Sequence, residues 1–220
     1  MSERVVVAMS GGVDSSVAAA RLVEQGHEVI GVTLHLWDYP DDGSVRGRCC
    51  APEDIFDARR VADTLGIFHY TYDRRELFDR EVVTPFVDAY LSGTTPSPCV
   101  HCNRGVKVRE LLQIADDLGA RYVATGHYAR VDATREPVAL LRALDHGKDQ
   151  SYFLHMLPPD VLARLMFPLG TSTKAGVRAE AAALGRDVAD ELLRLGAAAI
   201  LADAAQNASA IPDPKSLRLT

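Results

Sequence analysis

At its N-terminus the sequence lacks a long hydrophobic run, and cysteine is scarce throughout its 220 residues. The first apolar run, residues 5–9, is too brief for the hydrophobic region of a signal peptide and far too brief to span a bilayer. A cytoplasmic protein with no membrane partner is therefore expected. The four cysteines are Cys49, Cys50, Cys99 and Cys102, and in a cytoplasmic chain they indicate catalysis or metal binding rather than disulfides.

Excess positive charge is also missing, because the net charge is −6. This excludes a protein that coats nucleic acid non-specifically, but a local basic face can still contact phosphates within a Debye length of ~8 Å. With 47% hydrophobic and 25% charged residues, the composition is that of a globular protein with one sizeable core and the start of a second unit. An RNA substrate remains compatible with it.

Strands and helices alternate over the first two thirds of the chain. This rhythm predicts an α/β fold with a doubly wound, mostly parallel sheet. Gly26, Gly66 and Gly119 are expected at helix C-termini. Strands are predicted at 4–9, 28–37, 67–73 and 122–125, and helices at 14–25, 52–65, 76–91 and 104–118. The ligand crevice is expected at the carboxyl ends of the strands, near Ser10, Trp37 and Gly126.

The pattern changes after about residue 145. Helices are predicted at 161–166 and 174–184, which indicates a small, helical partial domain after the sheet. A further Ala/Leu-rich helix over 192–205 and a polar tail with Pro212 and Pro214 follow.

The segment SGGVDSS, residues 10–16, lies between a predicted strand and an amphipathic helix. Its glycines let the backbone approach phosphate, and the helix N-terminus points amide groups at it. The Lys-Ser/Thr ending of a Walker loop is missing. Asp14 is a candidate ligand of Mg²⁺, and the hydroxyls of Ser10, Ser15 and Ser16 are candidate phosphate contacts. The alternative is a tight strand–helix turn with a serine cap.

Cys99 and Cys102 precede the predicted helix that carries Arg104, Lys107 and Arg109 in its first turns. The helix dipole and these cations favour thiolate, and Cys102, the nearer to that helix, is the candidate nucleophile. The alternatives are a zinc site, inert buried cysteines, or an iron-sulfur cluster held by both cysteines and a third ligand.

The loop resembles that of the PP-loop ATP pyrophosphatases, of the adenine nucleotide alpha hydrolase-like type, which bind ATP and release pyrophosphate. GMP synthetases, NAD synthetases and tRNA-modifying enzymes share it. Taken together, seven stretches resemble the bacterial tRNA-specific 2-thiouridylases. They are AMSGGVDSS (8–16), RCC (48–50), DARRVA (57–62), TPSPCVHCN (95–103), ATGHYAR (124–130), KDQSYF (148–153) and FPLG (167–170).

This resemblance implies ATP-dependent adenylation of the C2 oxygen of the wobble uridine of tRNA. A persulfide sulfur then displaces AMP to give 2-thiouridine. It also implies ATP with Mg²⁺ and a cysteine desulfurase or sulfur-carrier protein as sulfur donor. Cys102 matches the family nucleophile. The matching ATP positions are Ala8, Met9, Ser10, Gly11, Gly12, Val13, Asp14, Ser15, Leu34 and Gly126. The matching tRNA positions are Ser97, Pro98, Cys99, His127, Lys148, Asp149 and Gln150. Cys49 and Cys50 are interpreted as packing residues.

The sequence departs from the family after Ala189. The family's second cysteine motif and its C-terminal β-barrel are absent, and no cysteine follows Cys102. Cys99 is therefore the candidate partner thiol. The alternatives are a chain that adenylates without sulfur transfer, a chain that only binds ATP or tRNA, or another PP-loop amidotransferase-like synthetase. The predicted division is a PP-loop ATP-binding domain (1–145), the start of a tRNA-binding domain (146–189) and a divergent tail (190–220).

Overall fold

The computed structural model describes residues 2–38 and 52–194. Cys49, Cys50 and most of the tail, including the helix predicted over 192–205 beyond residue 194, lie outside these ranges. By its internal contacts the chain divides into two compact units, Met1–Ala181 and Ala182–Thr220. The fold and the site below belong to the first unit. Within the described ranges, no helix is long and apolar enough to cross a bilayer.

Five parallel strands form the central sheet, in the order β3-β2-β1-β4-β7. Their bounds are β1 Arg4–Ala8, β2 Glu28–His35, β3 Phe68–Asp73, β4 Tyr122–Ala124 and β7 Leu165–Met166. A separate antiparallel hairpin joins β5 (Ala129–Asp132) to β6 (Ala139–Arg142). The predicted α/β class and parallel sheet are confirmed.

The helices cover both faces of the sheet. Their bounds are α1 Val13–Glu24, α2 Pro52–Leu65, α3 Arg75–Phe78, α4 Thr84–Leu91, α5 Pro98–His101, α6 Val108–Asp117, α7 Pro159–Leu162 and α8 Lys174–Arg194. Two π-helical turns, Asp79–Val83 and Cys102–Lys107, join α3 to α4 and α5 to α6. A 3₁₀ turn spans Ser151–Phe153.

The alternation of side chains along β1 explains why both faces are covered. Val5 and Val7 pack in a cluster with Leu22 of α1 and Ala58 of α2, whereas Val6 packs in a second cluster with Leu111 of α6. All three valines are completely buried. A strand with apolar residues on both faces is typical of a doubly wound fold.

The chain reverses direction beside β1. From β1 it winds outward through β2 to β3, and it then returns to place β4 on the other side of β1. Such a switch point opens a crevice at the carboxyl ends of the two strands, here just after Ala8 and Ala124. The predicted crevice position near Ser10 and Gly126 is thus confirmed by the topology. Gly26, Gly66 and Gly119 have the positive φ angles expected at helix ends, 79°, 67° and 65°.

Three of the predicted helices differ from the structure. The helix predicted over 174–184 is α8, which continues to Arg194. The helix predicted over 161–166 is instead α7, which ends at Leu162, followed by β7, which pairs with β4. The helix predicted to begin at residue 104 begins at Pro98, because α5, the π-helical turn and α6 follow one another with helical backbone angles at both junctions. The predicted domain boundary after residue 145 stays a prediction.

Candidate functional site

Residues 10–16 form a compact turn between β1 and α1 that is held by its own serines. The Ser10 amide donates to Ser15 Oγ at 3.1 Å, and the Ser15 hydroxyl donates to the Gly12 carbonyl at 2.9 Å. The Ser16 hydroxyl donates to the same carbonyl at 3.0 Å. The N-terminus of α1 has no side-chain cap. Its first amide groups are therefore directed at the open end of the turn, where an anion would be stabilised.

Glycine is required at Gly11 by both conformation and space. Its φ angle is +73°, and a Cβ atom there would lie 2.2 Å from the backbone oxygen of Asp54. Only a residue without a side chain allows the loop to pack this closely against α2.

Asp14 is fixed by two partners that are distant in sequence. Lys174 Nζ donates to its two carboxylate oxygens at 2.7 and 2.6 Å, and the Tyr128 hydroxyl donates to Oδ1 at 2.9 Å. Burial, followed by the bond to Asp14, raises the pKa of Tyr128, so this hydroxyl stays protonated. The loop therefore has a lysine beside it after all, contributed by the first turn of α8 rather than by the loop sequence.

A cavity of about 360 Å³ lies at the carboxyl ends of β1, β2 and β4. Its lining combines the loop with three other segments of the chain. The lining residues are Ala8, Met9, Ser10, Asp14, Ser15, Val32, Leu34, Leu36, Asn103, Lys107, Val108, Leu111, Thr125, Gly126, His127 and Gln150. The structure thus brings together many of the positions that the sequence proposed for ATP, including Leu34 and Gly126.

Gly126 closes the cavity by direct backbone contact with the loop. A Cβ atom at this position would lie 2.8 Å from the amide nitrogen of Ser15 and 2.9 Å from the carbonyl carbon of Asp14. The end of β4 can therefore approach α1 only because residue 126 is glycine.

His127, beside Gly126, is held in a neutral form. Its Nδ1 lies 2.7 Å from Thr125 Oγ1, and its ring packs edge-on against Phe167. Burial, with a smaller effect of the Lys107 charge, lowers the pKa of His127 to about 4. An uncharged imidazole therefore lines the cavity at neutral pH.

The three predicted tRNA positions at 148–150 have different surroundings. Lys148 is exposed. The Asp149 carboxylate accepts hydrogen bonds from the Ala143 amide at 2.9 Å and from the Ser151 hydroxyl at 2.9 Å. Gln150 Oε1 accepts from the Tyr128 amide at 2.9 Å. Asp149 and Gln150 therefore hold β6 and Tyr128 in place, and their role as tRNA contacts stays a prediction.

Cys99 and Cys102 lie beside the cavity without lining it, although Asn103, the residue after Cys102, does line it. Ser97 and Cys99 are exposed and Pro98 is half-buried, whereas Cys102 is only 7% exposed and packs in the core. Because the helix begins at Pro98, Cys99 is in its first turn and Cys102 is one turn further on. The argument that Cys102 is the thiol nearest a helix start is therefore wrong, and its role as nucleophile rests on the resemblance alone.

Metal ligands do not gather around these cysteines. Over residues 2–38 and 52–194, no three His, Cys, Asp or Glu side chains come close enough to hold a metal ion. Asp14 is the carboxylate that lines the cavity. One carboxylate together with substrate phosphates is a common way to hold Mg²⁺.

The family model described as the tRNA methyl transferase HUP domain matches residues 3–192. This chain belongs to the tRNA methyl transferase HUP domain family. The matched range includes every residue that lines the cavity, and it also includes Cys99 and Cys102. The doubly wound sheet is thus the fold of a HUP domain, and the loop at its switch point is the PP-loop.

The curated relatives carry a more specific name. A tRNA-specific 2-thiouridylase MnmA of Sorangium cellulosum is 69% identical over 182 residues, which are 83% of this HUP-domain chain and 47% of that protein. One of Methylorubrum extorquens is 54% identical over 189 residues, 86% of this chain and 49% of that protein. The chain spans about half the length of the curated relatives it matches.

A solved structure of a predicted tRNA methyltransferase subunit from Methanocaldococcus jannaschii also aligns. The TM-score is 0.48 at 18% identity, over 82% of this chain and 74% of that chain. The family assignment does not depend on this likeness.

Several residues of this HUP-domain site lie outside the sequence predictions, among them Tyr128, Asn103, Lys107 and Lys174. Tyr128 and Asn103 lie within two of the family motifs quoted above. They directly follow His127 and Cys102, which are the residues predicted to be functional. Lys107 was treated as a cation near the cysteines. Lys174 carried no signal, because it is 160 positions from Asp14 and only the fold brings the two together.

Proposed function

We propose that this chain binds ATP with Mg²⁺ in the cavity and adenylates the C2 oxygen of a uridine in tRNA, as the first half of 2-thiouridine synthesis. The observation that carries the proposal is the convergence of the loop, Leu34 and Gly126 on one cavity beside the cysteine segment. The name of the curated relatives supplies the acceptor.

The lining of the cavity fits a nucleotide. The uncapped N-terminus of α1 and the hydroxyl of Ser10 suit phosphate oxygens, and Asp14 suits the magnesium ion that accompanies them. Val32, Leu34 and Leu36 of β2 give an apolar surface for a base. When MgATP binds, Lys174 is placed to balance the charge of Asp14 or of a phosphate.

In the adenylation step, the uridine C2 oxygen attacks the α-phosphorus and pyrophosphate leaves. The loop contributes by holding the phosphates in line with the attacking oxygen and by stabilising the charge on the leaving group. His127 is neutral and borders the cavity, so it offers a hydrogen bond without adding a charge that would compete for the phosphates.

In the sulfur step, a persulfide on one cysteine attacks C2, AMP leaves, and a second thiol releases the sulfur by forming a disulfide. We assign the persulfide to Cys102 and the second thiol to Cys99, with a cysteine desulfurase or sulfur-carrier protein as donor. Cys99 is exposed and lies in the first helical turn, where a second molecule or a persulfide can reach it. Ser97, Pro98, His127 and Lys148 are the proposed tRNA contacts, and a cytoplasmic location accompanies this function.

Two assays test the proposal in order. tRNA-dependent exchange of labelled pyrophosphate into ATP should be detected with the wild-type chain and Mg²⁺, and its absence would contradict adenylation. Mass spectrometry of tRNA nucleosides after addition of a sulfur donor should then show 2-thiouridine. Exchange without 2-thiouridine would limit the chain to adenylation, and ATP or tRNA binding without exchange would limit it to binding.

Cysteine variants separate the two steps. Cys102→Ser should abolish 2-thiouridine and keep pyrophosphate exchange, because the thiol acts only after adenylation. Cys99→Ser should stop the reaction at the adduct in which the outer sulfur of Cys102 is bonded to C2, because no thiol remains to break the sulfur–sulfur bond. Persistence of 2-thiouridine in Cys102→Ser would remove Cys102 from the mechanism.

The iron-sulfur alternative has its own measurement. A cluster on Cys99, Cys102 and a third ligand would give an iron-dependent absorbance band that is lost in Cys99→Ala. The part of the chain that the structure describes offers no third ligand in a group with them.

A further inference from the structure

Asn103 occupies a special position in the cavity wall. It lies in the π-helical turn Cys102–Lys107, is only 5% exposed, and lines the cavity. A π-helical turn inside a longer helix is frequently found at functional sites, because it changes which side chains the helix presents. Here it contributes both Asn103 and Lys107 to the lining.

The hydrogen bonds of Asn103 are half satisfied. Its Nδ2 donates to the backbone carbonyl of Cys99 at 2.9 Å, whereas Oδ1 is buried without any hydrogen-bond partner among the residues that the structure describes. The orientation of the amide is fixed, because a carbonyl can only accept and the nitrogen must face it. A buried acceptor without a donor is unfavourable, because it has lost its hydrogen bonds to water and gained none in the protein. The site is therefore short of one N–H donor.

The surrounding chemistry indicates which donor is missing. The turn that suits phosphates lies at one part of the lining, and the apolar residues Val32 and Leu34 of β2 and Val108 and Leu111 of α6 form another part. Asn103 belongs to the same continuous helical run as Val108 and Leu111. A flat base would fit between these apolar side chains. An N–H donor on the edge of the base would then face Asn103 Oδ1, the acceptor that lacks a partner.

We propose that Asn103 Oδ1 accepts a hydrogen bond from the 6-amino group of adenine and thereby determines the selectivity of the cavity for ATP over GTP. This inference rests on the proposed binding of ATP. Guanine carries a carbonyl oxygen at C6, which would place an acceptor against an acceptor. A site built to bond an amino group rejects an analogue that leaves its buried polar atom unpaired.

The ligand-side test leaves the protein unchanged. Calorimetric titration of the wild-type chain compares ATP with purine riboside triphosphate, which has hydrogen in place of the 6-amino group. One neutral hydrogen bond corresponds to roughly a fivefold to tenfold difference in Kd. N6,N6-dimethyl-ATP, which has no N–H donor, should bind as weakly as the purine analogue or more weakly. Equal affinity for ATP and the purine analogue would overturn the proposal.

The protein-side test asks whether Asn103 is the source of the difference. In Asn103→Ala, the ratio of the two Kd values should fall to less than about twofold, because the acceptor is gone. Asn103→Ser, which keeps a smaller polar group, serves if the alanine variant does not fold. Gln113→Ala is the matched control, since Gln113 is an exposed amide of α6 that donates to Asp117 at 3.2 Å. Its ratio should equal that of the wild type.

The outcomes separate this inference from the function on which it rests. An unchanged Kd ratio in a folded Asn103→Ala that still binds ATP would refute the adenine assignment. The same result with a raised KM for tRNA alone would assign the amide to the imide N–H of the target uridine instead, which also refutes it. Failure of the wild-type chain to bind any of the triphosphates would contradict the proposed function itself.

Discussion

Asp14 shows how one side chain of the loop depends on residues that the loop sequence does not contain. Its carboxylate is only about one third exposed and is held by Lys174 and Tyr128. A carboxylate at this depth needs a nearby cation, because burial otherwise disfavours its charge. A lysine, the first residue of α8, thus lies beside the loop although the loop sequence contains none.

Removal of one hydroxyl tests how far this support matters. Tyr128→Phe deletes the bond to Asp14 Oδ1 and keeps the ring, which is 2% exposed. We expect the free energy of unfolding to fall by about 1–2 kcal/mol and the Kd for ATP to rise roughly threefold to tenfold, since Asp14 is left with Lys174 alone. Urea denaturation and calorimetry measure the two effects.

Tyr152→Phe is the control, because Tyr152 is 57% exposed and away from Asp14. It should leave both quantities unchanged. A Tyr128→Phe variant that binds ATP as the wild type does would show that Lys174 suffices to position Asp14.

The junction between β4 and α1 depends on close approach of two backbones at Gly126. In Gly126→Ala the new methyl group would meet Ser15 N at 2.8 Å, so the end of β4 or the start of α1 must shift. We expect a loss of about 1–3 kcal/mol in stability and at least a roughly tenfold rise in the Kd for ATP. Thermal melting and calorimetry give both values.

Gly105→Ala is the matched control for that substitution. Apart from its chain neighbours and the backbone of its own helix, no atom lies within 4 Å of the position that its Cβ would occupy. Alanine there should be neutral or slightly stabilising, because it restricts the unfolded chain. If Gly126→Ala binds ATP with the same Kd as the wild type, ATP binding does not depend on the close approach of β4 to α1.

Arg21 ties α1 to the start of α8 within the first unit. Its guanidinium donates to both carboxylate oxygens of Glu180, at 2.9 and 2.6 Å, and to Pro168 O and Ser172 Oγ, both at 2.8 Å. Arg21→Lys keeps the charge but cannot make the bidentate pair, so we expect a loss of about 1–3 kcal/mol in the free energy of unfolding. Arg60→Lys, at an 83% exposed side chain paired with Asp57 at 3.7 Å, should change it little. Similar losses in both variants would contradict this account.

The elements that could be predicted from the sequence are those with a strong local signal. The run of valines at 5–7 predicts β1, where all three are buried. Glycines predict the ends of α1, α2 and α6, where they have positive φ angles. The two-residue strand β7 could not be predicted, because Leu165 and Met166 are apolar in either a helix or a strand and only pairing with β4 decides. The early start of the helix at Pro98 did have a signal, since proline is favoured at the first helical position after a serine.

At the scale of the whole molecule, the cavity residues that belong to contiguous motifs could be predicted from the sequence. Those that the fold brings together from distant segments could not. The turn at 10–16 and Gly126 follow from strand ends at a switch point, which sequence rhythm reveals. The pairing of Asp14 with Lys174 depends on where α8 packs, which no local pattern records. Likewise, the orphaned oxygen of Asn103 depends on a π-helical turn that propensities do not distinguish from an ordinary helix.

The neutral His127 makes the stability of the whole fold depend on pH in a defined direction. Its pKa is lowered to about 4 in the folded chain, against about 6.5 in the unfolded chain. As the pH falls below 6.5, the unfolded state takes up the proton first, so the contribution is complete above that pH and is lost progressively toward pH 4. The full shift corresponds to about 3–4 kcal/mol.

Urea denaturation of the wild type and of His127→Gln at several pH values between 4 and 7.5 measures this contribution. The glutamine can keep a hydrogen bond to Thr125 but does not titrate, so the difference in unfolding free energy between the two proteins should shrink as the pH falls. His155→Gln, at an exposed imidazole, should run parallel to the wild type. A constant difference between wild type and His127→Gln across this range would show that His127 is not held neutral by burial, and the uncharged wall of the cavity would then need another explanation.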